Sequence, residues 1–160
     1  MKVAIVSDTH YAVGRFHRLL RQLKQDNIHY VVHAGDYDGV GVEDVICTEK
    51  EINFYITLGN CDNDWQKNEL LKNQSHVLLG DVISFQLGDI VFGVAHIPGE
   101  AQRALSGHAV QVFVFGHTHK IYIGNHANGL SLNPGSLMSN RSYLILDLPS
   151  LDISDHTIEA

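Results

Sequence analysis

Two histidines separated by a single residue lie near the end of the segment VFVFGHTHK (112–120). Four apolar residues open this segment, which predicts a buried strand that ends shortly before His117 and His119. Residues two apart in an extended chain point the same way, so the two imidazoles could serve one place. Imidazole nitrogens are common ligands of transition metals. The pair therefore indicates a metal site, provided that other segments bring ligands to meet it.

Other predicted strands also end in residues that can bind a metal ion. The strand segments are VAIVSD (3–8), YVVHAGD (30–36), INFYITLGN (52–60) and IVFGVAH (90–96). With the GHTH histidines, the candidate donors are Asp8, His10, Asp36, Asn60, His96, His117 and His119. Each residue alone has an ordinary explanation as a turn, cap or strand-end residue. Their recurrence at successive strand ends indicates one shared site.

The number of donors predicts more than one ion. A zinc site closes with four ligands, and seven side chains suit two divalent ions that share a bridging carboxylate. The set contains oxygen and nitrogen donors without a thiolate, which favours Mn, Fe, Zn or Ni over Ca or Mg. The donor types alone do not choose among these four metals. We expect two divalent ions per chain, with Mn as the first choice.

The elements of the first half can bring these donors together. Phe16, Leu19, Leu20 and Leu23 have helical spacing, a weaker helix is predicted around 42–50, and Asp64 can cap a helix that runs to about Leu71. Strands and helices thus alternate, which is typical of a parallel sheet with helical crossovers. Sites in such sheets form beyond the carboxyl ends of the strands.

The second half has a different pattern. HVLLG, VISFQLG and IVFGVAH are short apolar runs separated by Gly and Asp, and they predict hairpins. A helix over 100–107 leads to the strand QVFVFG, and KIYIG, LSLNPGS and SYLILDL predict a meander, with a last strand near 151–156. We predict two sheets packed face to face with helices outside, in a single domain over residues 1–160.

Composition limits the classes of partner. The chain has 160 residues and a net charge of −7. We therefore do not expect it to bind nucleic acid or an anionic membrane through an extended positively charged surface. Cys47 and Cys61 are too few for a disulfide framework, and this suits a reducing cytoplasm. Ser7 and Asp8 interrupt the N-terminal apolar run too early for a signal peptide, and no run approaches the roughly 20 residues of a spanning helix. We expect a cytoplasmic protein; the sequence leaves a homo-oligomer open.

The ordered motifs resemble those of a known family. SDTH, HAGD, GNCD, AHIPG, GHTH and NPGS follow one another between about Val3 and Asp147. This set is similar to that of the calcineurin-like metallophosphoesterases, in particular their small, single-domain prokaryotic phosphodiesterase branch. The resemblance implies an α/β fold, a four-layer α-β-β-α sandwich of two mixed sheets flanked by helices, with a binuclear metal site.

The resemblance also assigns roles to the donors. It implies that Asp36 bridges two ions; the first would be held by Asp8, His10 and His119, and the second by Asn60, His96 and His117. The residues expected to take part in catalysis are Asn60, Cys61, Asp62 and His96, with Asp62 orienting a ligand or the loop. His33 is expected to pack near the site, and the turn at 133–135 to pass close to it.

Two positions depart from the family pattern. Many phosphomonoesterases of the superfamily have His after the motif Asn, where this chain has Cys61. That His is assigned to protonating the leaving group or steadying the phosphate, so both tasks lack their usual residue here. Ile97 stands where Gly commonly follows the motif His, and we interpret it as a loop change that leaves His96 as a ligand.

Together these features predict a metal-dependent phosphodiesterase that hydrolyses small phosphodiesters through a metal-bridging hydroxide. Ser7 and Cys61 have no evident base partner, so a covalent route is less favoured. One alternative is a non-catalytic protein-binding scaffold on the same fold, similar to a eukaryotic retromer subunit, but this chain keeps all seven ligands. A phosphomonoesterase and a nuclease are further alternatives. The larger nucleases carry capping domains and DNA-binding surfaces, for which this acidic chain leaves little room.

Overall fold

The computed structural model describes residues 1–127 and 129–159. In chain order the elements are β1 (Lys2–Val6), α1 (Val13–Gln25), β2 (Tyr30–His33), α2 (Val42–Thr48), β3 (Asn53–Thr57), α3 (Trp65–Lys72), β4 (Val77–Gly80), β5 (Val82–Leu87), β6 (Ile90–Ala95), α4 (Glu100–Ala104), β7 (Val112–Val114), β8 (Ile121–His126), β9 (Gly129–Pro134), β10 (Ser142–Asp147) and β11 (Ile153–Thr157). None of the helices in this part of the chain is long and apolar enough to cross a membrane.

The strands form two mixed sheets. The first has the order β11-β10-β1-β2-β3-β4, in which β1 to β4 are parallel and β10 and β11 are antiparallel additions. The second has the order β5-β6-β7-β9-β8, with β7 parallel to both of its neighbours and antiparallel strands at the edges. The sheets therefore combine crossover connections with hairpins, as the change of pattern between the two halves of the sequence predicts.

Three apolar cores separate four layers. Helices α1, α2 and α3 pack on the outer face of the first sheet, through residues that include Phe16, Ile46 and Leu71. The second core lies between the two sheets. The third joins α4 to the outer face of the second sheet, where Ala101 packs with Phe113. This arrangement confirms the predicted α-β-β-α sandwich.

Local sequence explains why these elements form. In β1, Val3 and Ile5 point into the core between the sheets, whereas Ala4 and Val6 point toward the helices, because side chains alternate along a strand. The four apolar residues predicted for α1 are all buried. Each buried side chain of this kind contributes about 1.5–3 kcal/mol. As predicted, Asp64 caps α3, where its side chain accepts a hydrogen bond from the backbone N–H of Lys67 (3.1 Å).

Some predicted strand pairings are wrong. The hairpin from HVLLG to VISFQLG does not form, since β4 pairs in parallel with β3 and β5 begins the other sheet. The meander is also wrong beyond its first hairpin: β8 and β9 pair, but β10 joins the first sheet beside β1. All but the last residue of β10 are buried, which suits a strand covered on both faces. The predicted helix over 100–107 ends at Ala104, after which the chain turns toward Gly107, whose φ is +85°.

Candidate metal centre

Asp36 lies at the middle of the predicted ligands. Its Oδ2 atom is 3.6 Å from His10 Nε2 and 3.3 Å from His96 Nε2. Asp36 lies in the loop that follows β2 of the first sheet, and His96 directly follows β6 of the second sheet. The two sheets therefore contribute to one place.

The remaining donors form a group on either side of Asp36. On one side, Asp8 Oδ1 lies 3.1 Å from His119 Nε2 and 3.9 Å from His10 Nε2. On the other side, Asn60 Oδ1 lies 3.1 Å from both His96 Nε2 and His117 Nδ1. The structure thus brings all seven predicted ligands together, in two groups that meet at Asp36.

The backbone reaches this arrangement in a way that differs from the prediction. Five of the seven residues have a left-handed backbone, with φ between 43° and 67°: Asp8, His10, Asp36, His117 and His119. The D-x-H and H-x-H pairs are therefore turns and not extended segments. A non-glycine residue in this conformation costs about 1–3 kcal/mol, and such residues cluster at functional sites.

Hydrogen bonds between the loops hold these turns. The backbone N–H of Asp8 donates to Gly35 O (3.0 Å), and that of His10 donates to Asp36 O (3.0 Å). The hydroxyl of Ser136 and the N–H of Met138 both donate to Asp8 O. The loops after β1, β2 and β9 are consequently fixed to one another.

Outer partners orient two of the imidazoles. His96 Nδ1 lies 2.6 Å from the carbonyl oxygen of Ala34, which can only accept, so Nδ1 carries the proton. His10 Nδ1 lies 2.8 Å from a carboxylate oxygen of Asp38. In the neutral rings, this leaves the lone pair of Nε2 directed at the cluster, which is how proteins prepare histidine ligands.

The donor set fits divalent cations. Asp8 Oδ1 is buried and has no hydrogen-bond partner among the described residues. When His96 is neutral, its Nε2 lone pair faces the oxygens of Asp36 and Asn60, so acceptors point at acceptors unless a proton or a cation lies between them. A cation between them would satisfy these groups together. Three sets of donor atoms lie within 4.8 Å of one another: Asp8, His10 and His119; Asp8, Asp36 and His96; and His10, Asp36 and Cys61.

Electrostatics at Asp36 and His96 also favour positive charge. Burial would raise the pKa of Asp36, but the hydrogen bond and charge of His96 and the N–H of Cys61 lower that pKa to about 2. Burial would lower the pKa of His96, but Asp36 and the Ala34 carbonyl together raise it above its ordinary value. The two shifts have opposite signs because the Asp36 carboxylate and the His96 imidazole attract each other, so each favours the charged form of the other.

Asp62 lies behind the predicted ligands and contacts the backbone. Its two oxygens accept hydrogen bonds from the N–H groups of Gly59 (2.7 Å), Asp36 (2.8 Å) and Tyr37 (2.9 Å). Burial raises the pKa of Asp62 to about 6 against the opposing effect of these bonds. Asp62 therefore joins the loop after β3 to the loop after β2, consistent with the orienting role considered for it.

Cys61 and Asn60 lie at the open side of the cluster. Both are exposed, and the N–H of Cys61 donates to Asp36 Oδ1 (3.0 Å). Burial of the thiol and the charge of Asp36 raise the pKa of Cys61 to about 11. His33 lies on the closed side, with Nε2 2.8 Å from Thr9 Oγ1, and burial lowers its pKa to about 3.

Several further groups support the predicted ligands. The motifs did not predict Asp38, although an acidic residue two positions after Asp36 is a weak signal for it. Asn133 is fully buried and donates to Gly116 O (2.9 Å) and Thr118 Oγ1 (3.0 Å), so the 133–135 turn holds the GHTH loop. The motif glycines allow close approach: a Cβ on Gly59 would overlap the Asp36 side chain, and one on Gly35 would lie 2.7 Å from His96 Nδ1.

Known proteins of one family resemble this chain over nearly its whole length. The family model of the calcineurin-like phosphoesterase superfamily domain matches residues 1–151. The chain is 26% identical to a phosphodiesterase of Methanocaldococcus jannaschii over 162 residues, covering 97% of this chain and 93% of that protein. The chain therefore belongs to the calcineurin-like phosphoesterase superfamily, which confirms the predicted family and the prediction of a hydrolase.

Solved structures show the same architecture. An archaeal phosphodiesterase superimposes with a TM-score of 0.83 at 25% identity, covering 99% of this chain and 100% of that chain. The phosphoesterase Yfce of E. coli gives 0.66 at 20% identity, covering 99% and 100%. Vps29 of Entamoeba histolytica, solved with Zn²⁺, gives 0.69 at 21% identity, covering 97% and 90%. The latter two are similar in fold alone.

Proposed function

We propose that this chain is a metal-dependent phosphodiesterase that hydrolyses small phosphodiesters at a binuclear centre. In this proposal, Asp8, His10 and His119 hold one ion, Asn60, His96 and His117 hold the other, and Asp36 bridges them. Similarity over nearly the whole chain to a phosphodiesterase supports the choice of a diester.

One observation carries the proposal: Asp36 Oδ2 lies within 3.6 Å of a histidine nitrogen from each of the two ligand groups. Such a carboxylate can serve two ions at once. Asp8 Oδ1 is buried without a hydrogen-bond partner and lies 3.1 Å from His119 Nε2, so a cation bound between the two atoms would satisfy both. Divalent ions bound there would supply an activated water and neutralise charge on phosphate oxygens.

The exposure of the residues defines the side from which a diester approaches. Asp8, Asp36 and His96 are buried, whereas Asn60, Cys61 and His117 are exposed. The exposed residues therefore line the face that a substrate phosphate can reach. The buried ones form a base that is already organised, so it needs little rearrangement when charge develops on the phosphate.

No protein nucleophile is required in this mechanism. The Ser7 hydroxyl is fully buried and donates to Asp8 Oδ2, so it does not face a substrate. Cys61 is exposed, and its sulfur lies within 4.8 Å of ligand atoms of His10 and Asp36. Both residues are metal ligands in this proposal, so neither is free to act as a base for the thiol. Attack by water is the route that these residues support.

The test is hydrolysis of an aryl phosphodiester by protein depleted of metal and then supplied with Mn, Fe, Zn or Ni. We expect activity to depend on added metal and to fall at least about a hundredfold in His119→Ala, which removes a ligand. His108→Ala, which changes an exposed histidine of a turn, serves as the matched control and should keep full activity. A chain that binds metal but cleaves no diester with any of these ions would instead favour the scaffold alternative.

A further inference from the structure

Four of the five arginines lie together, although the chain has a net charge of −7. Arg15, Arg18 and Arg21 follow one another at three-residue intervals along α1, which places them along one side of the helix. Arg141, just before β10, is close enough that it and Arg18 both help to lower the pKa of Arg15, after the larger effect of burial. A local positive region of this kind in an acidic protein indicates an anionic ligand.

These arginines are not used in ion pairs. Among residues 1–127 and 129–159, no arginine has a carboxylate oxygen within 4.0 Å. Arg15 donates to two backbone carbonyls, those of Leu137 (2.8 Å) and Met138 (2.7 Å). The guanidinium groups of Arg18 and Arg21 are exposed and lie at a concave surface.

That surface is a groove of about 610 Å³ between α1 and the edge strand β11. Arg18 and Arg21 form one wall, and Tyr143 and His156 line the other side. The rings of Tyr143 and His156 are stacked, with centroids 5.2 Å apart and an interplanar angle of 22°. Sites for small ligands have volumes of roughly 300–1,000 Å³, so the groove is large enough for one.

We propose that this groove binds a small phosphorylated ligand that carries a planar ring, of the size of a mononucleotide. Arg18 and Arg21 bind the phosphate, for which the planar guanidinium group is well suited. The ring stacks on the exposed face of His156, whose other face is covered by Tyr143. Asp26 and Glu159 also line the groove, and their negative charge disfavours a long polyanion.

The groove is separate from the candidate metal centre. None of the seven predicted metal ligands lines it. The loop over 136–141 lies between the two, since Arg15 contacts its carbonyls from one side and Ser136 contacts Asp8 on the other. The proposal therefore does not depend on the proposed phosphodiesterase function.

The test is calorimetric titration of the full chain with adenosine 5′-monophosphate, in the presence of a chelator and again with Mn²⁺. We expect binding in both conditions and a loss of about tenfold or more in Arg18→Gln/Arg21→Gln, because charge-assisted hydrogen bonds to phosphate are removed. The matched control is Arg103→Gln, an exposed arginine on α4, which should bind as the wild type does. The midpoint of thermal unfolding should be unchanged in both variants, which shows that they fold.

Further ligands and backbone NMR locate the binding. Inorganic phosphate and adenosine alone should each bind more weakly than the nucleotide, and the nucleotide should shift the amide signals of Gln22, Tyr143 and Thr157. Unchanged affinity in the double variant, no binding by the wild type, or shifts confined to the loops around Asp8 and Asp36 would each overturn the proposal. A short oligonucleotide that bound more tightly than the mononucleotide through the same arginines would assign the groove to nucleic acid and overturn it as well.

Discussion

Asp36 is the residue on which both proposed metal ions depend. Its Oδ2 faces His10 and His96, and its Oδ1 accepts the N–H of Cys61. Asn60 offers one neutral oxygen between two histidines on one side of the cluster. A substitution at Asp36 should therefore disturb more of the centre than one at Asn60.

We predict that Asp36→Asn loses at least about tenfold more diesterase activity than Asn60→Ala, because the bridging carboxylate contributes negative charge to both ions. The measurement is kcat/KM for an aryl diester together with metal content for each variant. Near-normal turnover and metal content in Asp36→Asn would show that another group bridges the ions.

Cys61 should affect the choice between diester and monoester. A monoester with a poor leaving group needs a proton donor near the departing oxygen, and a thiol is a weaker donor than an imidazole. An aryl diester needs little such help because its leaving group departs as a stable anion. We predict better cleavage of the aryl diester than of its matching monoester, and diesterase activity in Cys61→Ala that stays within about tenfold of the wild type.

Cys61→His provides the complementary variant, since it should raise activity on the monoester relative to the diester. Both comparisons use kcat/KM for the same pair of substrates at equal metal content. A thousandfold loss of diesterase activity in Cys61→Ala would lie within the 10²–10⁴-fold range that is typical of a lost general acid. That result would identify the thiol as catalytic.

At the residue level, sequence could predict which side chains meet but not how the backbone places them. Aspartate, asparagine and histidine at strand ends are visible because metal ligation needs those residue types. The left-handed conformation of Asp8 or His117 leaves only a weak mark in the sequence, since aspartate and histidine adopt a positive φ more often than most residues but far less often than glycine. Asp38 was not predicted because an acidic residue two positions after Asp36 is by itself only a weak signal.

At the level of elements, the strand ends must approach closely for the ligands to meet. The loops after β2 and β3 touch at Gly59, where an added Cβ would overlap Asp36 Oδ1 and the Asp36 backbone nitrogen. Asp62 holds the same two loops together by accepting their N–H groups. The φ of Gly59 is not in the left-handed region, so backbone conformation does not require glycine here. Glycine is needed at position 59 because a larger residue would overlap Asp36.

We predict that Gly59→Ala lowers the free energy of unfolding by about 1–3 kcal/mol and reduces metal affinity, since the new methyl group displaces Asp36. Gly14→Ala is the matched control, because a Cβ there meets only Arg18 Nη1 at 3.9 Å within α1. That variant should be neutral or more stable by up to about 1 kcal/mol. Denaturant unfolding and metal titration of both variants make the comparison, and equal behaviour would show that the loops can separate without cost.

Strand pairing was the least predictable feature at this level. The periodicity and apolar runs located β4 and β10 correctly, but hairpins between chain neighbours were assumed where β4 pairs with β3 and β10 pairs with β1. Pairing is decided by which faces are covered, and this depends on residues distant in the chain. The burial of β10 on both faces places it inside a sheet, whereas local sequence shows only that it is apolar.

At the level of the whole molecule, the two sheets are joined at the candidate centre as well as through their apolar core. Asp8, Asp36 and Asn60 follow strands of the first sheet, whereas His96 and His117 follow strands of the second. Ions bound between them would link the sheets at one end of the sandwich. Metal binding should therefore appear as stability of the entire fold.

We predict that the metal-replete chain holds about two divalent ions and that a chelator lowers its midpoint of thermal unfolding. Ions that bind only the folded chain stabilise it by about 2.7 kcal/mol at a hundred times the dissociation constant, and for a chain of this size each kcal/mol corresponds to roughly 2–4 °C. Removal of the ions also leaves Asp8 Oδ1 buried without a hydrogen-bond partner and close to the negative charge of Asp36. Elemental analysis and calorimetry of the chelated and Mn²⁺-loaded protein measure the two quantities, and Asp36→Asn should show a smaller difference than the wild type. A fully loaded protein that contained one ion or none would contradict the binuclear centre, and an unchanged unfolding midpoint would show that the ions do not join the two sheets.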